Sequence, residues 1–254
     1  MMGLMFQGWS KRLKSILINM KIGMLSDAHG NIDGFLKALD ILASFNVDET
    51  YFLGDAVGYI STLKVLTYLT DNNSVITSIL GNHDAMLLEK KSIEIQKDKV
   101  YQLNQLKDEL PAKIVEHLNS LPQVIRKKVK CGKLTMMHGS PDDLTNGYIY
   151  PDSSLKKYDA IDDDFVFMAN THRPFIREQS NKVFVNVGSC GLPRDQGSLG
   201  SVCVFDTDKG IATIYRYEMK DINNQLIQKN KLHEDVVNVL LRTSENCYGQ
   251  KLNL

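Results

Sequence analysis

The segment Ile22-Gly23-Met24-Leu25-Ser26-Asp27-Ala28-His29-Gly30-Asn31 opens the fold. Its first four residues form a short apolar run, the pattern of a buried strand, and the run stops at Ser26-Asp27. Residues 31–45 follow with Phe35, Leu36, Leu39, Leu42 and Ala43 at helical spacing. Residues 49–53 read as a second strand closed by Gly54-Asp55, residues 62–69 as a second helix, and residues 75–80 as a third strand ending at Gly81. This alternation predicts parallel strands joined by crossover helices. Polar and charged residues recur just past the strand ends, where open α/β sheets place ligands.

Further along, residues 92–121 carry a helical pattern. Val100, Leu103, Leu106 and Leu110 make one apolar stripe, and Ile114, Val115, Leu118 and Leu121 continue it after Pro111. The reading is a helical hairpin, packed on the core or capping a site. Beyond Pro122 the texture turns to β. Runs at 124–129 and 134–137 flank the hairpin turn Cys131-Gly132-Lys133, and 166–168, 182–187, 201–205 and 211–217 are strand-like. They suggest a β-rich layer added to the parallel one. Residues 221–240 return to a helical texture, and the polar tail 244–254 is expected to fray.

The chain has 254 residues, room for one large domain. We place that domain at 20–243, with a helical insertion at about 92–121. Lys plus Arg equals Asp plus Glu at 30 each, which argues against broad electrostatic binding of nucleic acid or anionic membrane. No apolar run approaches the ~18 residues of a membrane span. Cys131, Cys190, Cys203 and Cys247 include no Cys-x-x-Cys pair, so reduced, mostly buried thiols in a cytoplasmic protein are expected. Residues 1–19 hold Lys11, Arg12 and Lys14 before Ile16-Leu17-Ile18, too short an apolar stretch for a signal peptide; they read as an extension or a mis-assigned start.

Five signatures sit at strand ends: Asp27-Ala28-His29-Gly30-Asn31, Gly54-Asp55, Gly81-Asn82-His83-Asp84, His138-Gly139 and Asn170-Thr171-His172. They contain four of the six histidines; His117 and His233 lie elsewhere and read as surface residues. Carboxylate, amide oxygen and imidazole are ligands for Mn, Fe, Co, Ni or Zn. On an extended strand end Asp27 and His29 would point the same way and grip one ion, while Asp55, from the neighbouring strand, could bridge two. Asp-x-His or His-Gly alone is weak. Gly-Asn-His-Asp is specific, since average residue usage supplies it by chance in fewer than roughly one chain in a thousand of this length.

The ordered motifs resemble those of the calcineurin-like metallophosphoesterase superfamily. Gly54-Asp55-Ala56-Val57-Gly58-Tyr59 and Val187-Gly188-Ser189-Cys190-Gly191-Leu192-Pro193-Arg194-Asp195 resemble its small bacterial and archaeal phosphodiesterase-like branch. The similarity runs from about residue 21 to about residue 217. It implies a four-layer α-β-β-α sandwich of two mixed β-sheets flanked by helices, and two divalent metal ions as cofactors. Asp27, His29, Asp55 and His172 would hold the first ion; Asp55, Asn82 and His138 the second. His83 would protonate the leaving group or stabilise transition-state charge, Asp84 would orient His83, and Arg194 could contact the substrate. The family usually has Gly-His-x-His where this chain has Ala169-Asn170-Thr171-His172, and the first of those histidines completes the second metal. Asn170 offers at most a carbonyl oxygen there, which implies weaker binding or a different metal preference.

The implied reaction is in-line attack on phosphorus by a hydroxide bridging two cations. Counting Asp27, Asp55 and the hydroxide against two dications leaves about one net positive charge, which favours a phosphate anion over a neutral ester. No Gly-x-Ser-x-Gly elbow marks a serine hydrolase. A small phosphodiester or nucleotide is the expected substrate. Diadenosine tetraphosphate, with Arg173, Arg177 and Arg194 as cationic contacts, and a phosphoprotein are rivals on the same core. A non-catalytic scaffold is the rival of another class; it is disfavoured because His83, which binds no metal in the family, is retained.

Overall fold

The computed structural model describes residues 20–244 and 246–252. The expected extension at 1–19 lies outside them. In chain order the elements are β1 (Lys21–Leu25), α1 (Ile32–Ser44), β2 (Glu49–Phe52), α2 (Lys64–Asp71), β3 (Ile76–Ser78), α3 (Asn82–Leu88), α4 (Ile95–Tyr101), α5 (Asn104–Asp108), α6 (Ala112–Ser120), β4 (Val124–Val129), β5 (Gly132–Met137), β6 (Phe165–Met168), β7 (Phe175–Gln179), β8 (Lys182–Asn186), β9 (Leu199–Asp206), β10 (Ile211–Glu218), α7 (Lys220–Lys229), α8 (Glu234–Leu240) and β11 (Gln250–Lys251). No helix among the described residues is long and apolar enough to cross a membrane.

Two mixed sheets flanked by helical layers make up the molecule. The first runs β11-β10-β9-β1-β2-β3 and the second β4-β5-β6-β8-β7. In the first, β1, β2 and β3 are parallel, and Leu25, Phe52 and Ser78 stand in register. Their C-terminal ends therefore release the following segments at one edge. In the second, β5, β6 and β8 are parallel, with Met136, Phe167 and Val185 aligned. Strands β9 and β10, expected in an added layer, instead extend the first sheet, β9 pairing antiparallel with β1 and β10 antiparallel with β9.

Strand side chains alternate between two buried faces, so the strands read as continuous apolar runs. Ile22 and Met24 of β1 meet Leu134, Met136, Phe165, Phe167, Cys203 and Phe205 between the sheets. Leu25 faces the other way, onto Phe35, Ala38 and Leu42 of α1. On the far side of the second sheet, Met137, Val166, Met168 and Phe184 are covered by Ile149, Leu155 and Tyr158, the last in a 3₁₀ turn at Lys156–Tyr158.

Several local expectations change. The 92–121 stripe is three short helices rather than a hairpin, because Gln102 adopts a left-handed conformation (φ 53°) that ends α4. Leu103, Leu106, Ile114 and Leu118 do join the helix-side core. Residues 221–240 split into α7 and α8. Strand β7 carries only Phe175 and Ile176 as apolar signal, which suffices for an edge position. Among the described residues the tail is tied down rather than frayed: Leu252 N donates to Arg216 O (2.8 Å) and the Arg216 guanidinium donates to Tyr248 O (2.9 Å). Arg216 is fully buried and pairs with both carboxylate oxygens of Asp195. His117 is buried rather than exposed, and His233 caps α8 by accepting from Asp235 N (3.2 Å). All four cysteines are free; Cys190 and Cys203 are buried.

Candidate metal centre

The loops after β1 and β2 continue side by side past the sheet. Asp27 N, His29 N and Gly30 N donate to the carbonyls of Gly54, Asp55 and Ala56 at 3.0, 3.1 and 2.9 Å. Asp27 and His29 are left-handed (φ 54° and 48°), as are Asp55 (61°), Asn170 (63°) and His172 (56°). The expected extended alternation is thus not what brings Asp27 and His29 together; a strained turn does it. Such conformations in non-glycine residues cluster at functional sites. Gly81 permits the close approach of the third loop, since a Cβ there would lie 2.2 Å from Asp55 N.

The five signatures converge. His138 follows β5, and Asn170 and His172 follow β6, so the second sheet supplies donors facing those of the first. Nε2 of His172 lies 3.2 Å from Asp27 Oδ1 and 3.0 Å from His29 Nε2. Nε2 of His29 lies 3.6 Å from Asp55 Oδ2. Nε2 of His138 lies 3.4 Å from Asp55 Oδ2 and 3.0 Å from Asn82 Oδ1. Three overlapping donor groups result: Asp27, His29 and His172; Asp27, Asp55 and His138; His29, Asp55 and His83. Donors about 2.0–2.2 Å from one ion stand about 3–3.5 Å apart, so these spacings suit shared cations.

The protonation pattern supports the same use. Nδ1 of His29, His138 and His172 lies 2.9, 2.7 and 2.7 Å from the carbonyls of Val57, Leu53 and Leu192. A carbonyl only accepts, so each Nδ1 carries the proton and each Nε2 turns a lone pair to the centre. Both Asp27 carboxylate oxygens and Asp55 Oδ2 are buried without a hydrogen-bond partner. Lone pairs thus face lone pairs in a dry pocket, costly unless cations lie between them. The residues present fit divalent cations on that ground.

Charge is redistributed accordingly. Burial pushes Asp27 up, but His172, His29 and His138 more than offset it and hold the carboxyl well below the usual range. Burial pushes His138 down, yet Asp55 and Asp27 raise it to about 9. Burial and the Arg194 charge bring His172 down to about 4, and burial brings His83 down to about 3.

His83 sits in an aromatic nest, 5.0 Å from the rings of His29 and Tyr59 and 4.6 Å from Tyr101. A Cβ on Gly58 would lie 2.4 Å from its Nδ1, so only glycine leaves room. Asp84, expected to orient His83, does something else. Its carboxylate accepts from the amides of Asp55 (2.8 Å), Ala56 (2.9 Å), Val57 (3.4 Å) and Gly81 (3.3 Å), while His83 Nδ1 has no partner. Asn170 commits its amide nitrogen to Gly147 O (3.0 Å), which leaves only its amide oxygen for the centre. Half-buried Arg194 donates to Tyr59 Oη (2.7 Å) and has no carboxylate in ion-pair range among the described residues.

Tyr59, Tyr101 and Gly58 received no role from the sequence. Gly58-Tyr59 lay inside a quoted motif, so a signal existed. Tyr101 had none, because only the fold of the 92–121 segment brings it to His83.

A family model described as the calcineurin-like phosphoesterase superfamily domain matches residues 20–210. An uncharacterized protein of Methanocaldococcus jannaschii is 26% identical over 243 residues, covering 86% of this chain and 96% of the relative. The crystal structure of a metallophosphoesterase from Sphaerobacter thermophilus superposes with a TM-score of 0.71 at 24% identity, covering 87% of this chain and 98% of that one. That of a hypothetical protein from Pyrococcus horikoshii gives 0.74 at 19%, covering 89% and 100%.

Proposed function

We propose that this chain, which belongs to the calcineurin-like phosphoesterase superfamily, hydrolyses small phosphodiesters or nucleotides with two divalent cations held in this pocket. The observation that carries the reading is the convergence of three histidine Nε2 lone pairs on buried carboxylate oxygens that lack any other partner. Asp27, His29, Asp55 and His172 would hold one cation; Asp55, Asn82 and His138 would hold the other, with Asp55 shared. Bound there, divalent cations supply Lewis acidity toward phosphoryl oxygens and a nucleophilic water at neutral pH.

The chain's own residues do the rest. The backbone carbonyls behind the three histidines fix ring orientation, so the lone pairs need no reorganisation. One ring nitrogen of His83 lies within 4.8 Å of donor atoms of His29 and Asp55, beside the proposed cations, where it could hydrogen-bond a phosphoryl or leaving oxygen. Arg194 contributes positive charge beside Tyr59, where a phosphate would approach. A long polyphosphate asks for several such cations, but Arg177 donates to Ser153 O and Arg173 lines a cleft with Cys247 and Tyr248. That supports a short phosphoester over a dinucleoside polyphosphate. Four free thiols support a reducing, cytoplasmic setting.

The test is metal analysis of the purified protein followed by turnover of bis-p-nitrophenyl phosphate with added manganese. Loss of turnover in Asp55→Asn and in His83→Ala is expected; unchanged rates in both refute the reading.

A further inference from the structure

Outside the donor set, the segment from Gly147 to Tyr150 presents two aromatic rings to water. Ile149 is 2% exposed and packs with Met137, Val166 and Met168, whereas Tyr148 and Tyr150 are 50% and 41% exposed. The alternation is that of extended chain: burying the middle residue turns its two neighbours out on one side. The two rings are nearly parallel, 6.0 Å between centroids and 9° between planes. Hydrogen bonds hold the segment in place. Tyr150 N donates to Ser153 Oγ (2.9 Å), Arg177 donates to Ser153 O (2.6 Å), and Gly147 O accepts from Asn170 (3.0 Å).

This aromatic pair stands at the edge of the metal centre. Gly147 N would lie 2.7 Å from a Cβ on Gly139, the residue after His138, and Asn170 joins the same carbonyl from the β6 end. Burial raises the Tyr148 phenol, and Arg194, Tyr101 and Asp55 act on it as they act on Tyr59. Tyr148 follows Gly147 directly, so its ring leaves the chain one residue from the point where Gly139 and Asn170 meet this segment.

We propose that Tyr148, backed by Tyr150, is a stacking platform that takes the base of a nucleotide substrate while its phosphate reaches Arg194 and the donor centre. The proposal rests on the phosphoesterase reading and narrows it to nucleotides. The chemistry matches: every base offers a flat π-face, stacking on tyrosine tolerates base identity, and the ring body binds without a charge the donor centre would repel. A pre-fixed platform also loses little conformational entropy on binding.

The experiment compares a non-cleavable adenosine 5′-phosphonate with the matching ribose 5-phosphonate, by isothermal titration into the manganese-supplemented protein. The wild type should bind the adenosine compound about 10-fold tighter or more, the usual worth of one stacked base. Tyr148→Ala should erase that difference and leave the ribose compound's affinity unchanged, and Tyr148→Phe should keep it. Equal affinities in the wild type, no binding of the adenosine compound, or a preference that survives Tyr148→Ala overturns the proposal. Turnover of bis-p-nitrophenyl phosphate by the same preparations reports separately. A base preference without turnover defeats hydrolysis alone; turnover without a base preference defeats the platform alone.

Discussion

The backbone amide of Asp55 donates to the carboxylate of Asp84 at 2.8 Å, so one acidic residue sets the position of another across two strand ends. Asp84 lies in the first turn of α3, and its two oxygens also collect the amides of Ala56, Val57 and Gly81. Burial and the Asp55 charge push its carboxyl up to about 6. The residue works as a template for the loop that carries Asp55, the ligand proposed to be shared. Its cost in desolvation is offset by amide hydrogen bonds that an uncharged replacement cannot all accept.

Asp84→Asn tests that role. The new amide group would face donors, and the Asp55 loop would shift. Manganese affinity should fall about 10- to 100-fold, the range for residues that support ligands from behind. Calorimetric titration with manganese measures it, and an unchanged affinity would mean that the loop holds its shape without Asp84.

Gly58→Ala should separate metal binding from chemistry. Gly58 has φ 98°, and the three atoms nearest a Cβ there all belong to the His83 ring, not to the residues proposed to hold the two cations. The added methyl should displace His83 and cut turnover about 100-fold or more, the usual scale for a lost acid–base group. Metal content by elemental analysis should stay at the wild-type level. Retained turnover would show that His83 has slack.

Cations should stabilise the protein strongly. Manganese at 100 times its dissociation constant contributes about 2.7 kcal/mol by linkage. Asp27→Asn should abolish that gain, because it removes the charge of a buried carboxylate whose oxygens have no hydrogen-bond partner in the protein. Melting curves with and without manganese decide it; a large metal-free loss would make Asp27 a structural residue.

Asn170→His should tighten the weaker of two manganese sites. The wild-type asparagine gives its nitrogen to Gly147 O and keeps only an amide oxygen for the centre. An imidazole there adds the nitrogen ligand that the family pattern has at this place. Metal titration of both proteins reads the effect. A single unchanged binding step would rule out a second site limited by this residue.

Asp195→Ala should cost about 3–5 kcal/mol, because Arg216 is fully buried and would lose its carboxylate. Urea unfolding measures it. A loss below about 1 kcal/mol would mean that the carbonyls of Leu199, Gly200 and Tyr248 suffice for the guanidinium.

The parallel β1, β2 and β3 were legible because doubly buried strands are continuous apolar runs, and residues 22–25 and the buried end of β2 with the residue after it, 51–53, are of that kind. Helix α3 was not, because Asn82-His83-Asp84 carries no apolar period. Nor was β11, whose two exposed residues are held by pairing with β10 rather than by their own pattern. The aromatic rim was equally silent: Tyr148 and Tyr150 look like any loop tyrosines until Ile149 is seen to be buried between them.

The order and types of the donors (Asp27, His29, Asp55, Asn82, His138, His172) were written in the chain, because each is a local feature of a strand end. Which nitrogen of each ring faces the centre was decided only by tertiary structure. The carbonyls of Val57, Leu53 and Leu192 that accept from the three Nδ1 groups are 28, 85 and 20 residues away in sequence. The work of Asp84, the hydrogen bond from Asn170 to Gly147 O and the contact of Tyr101 with the His83 ring depend likewise on distant segments meeting. Hydrogen-bond geometry and burial are properties of such contacts, and no local pattern encodes them.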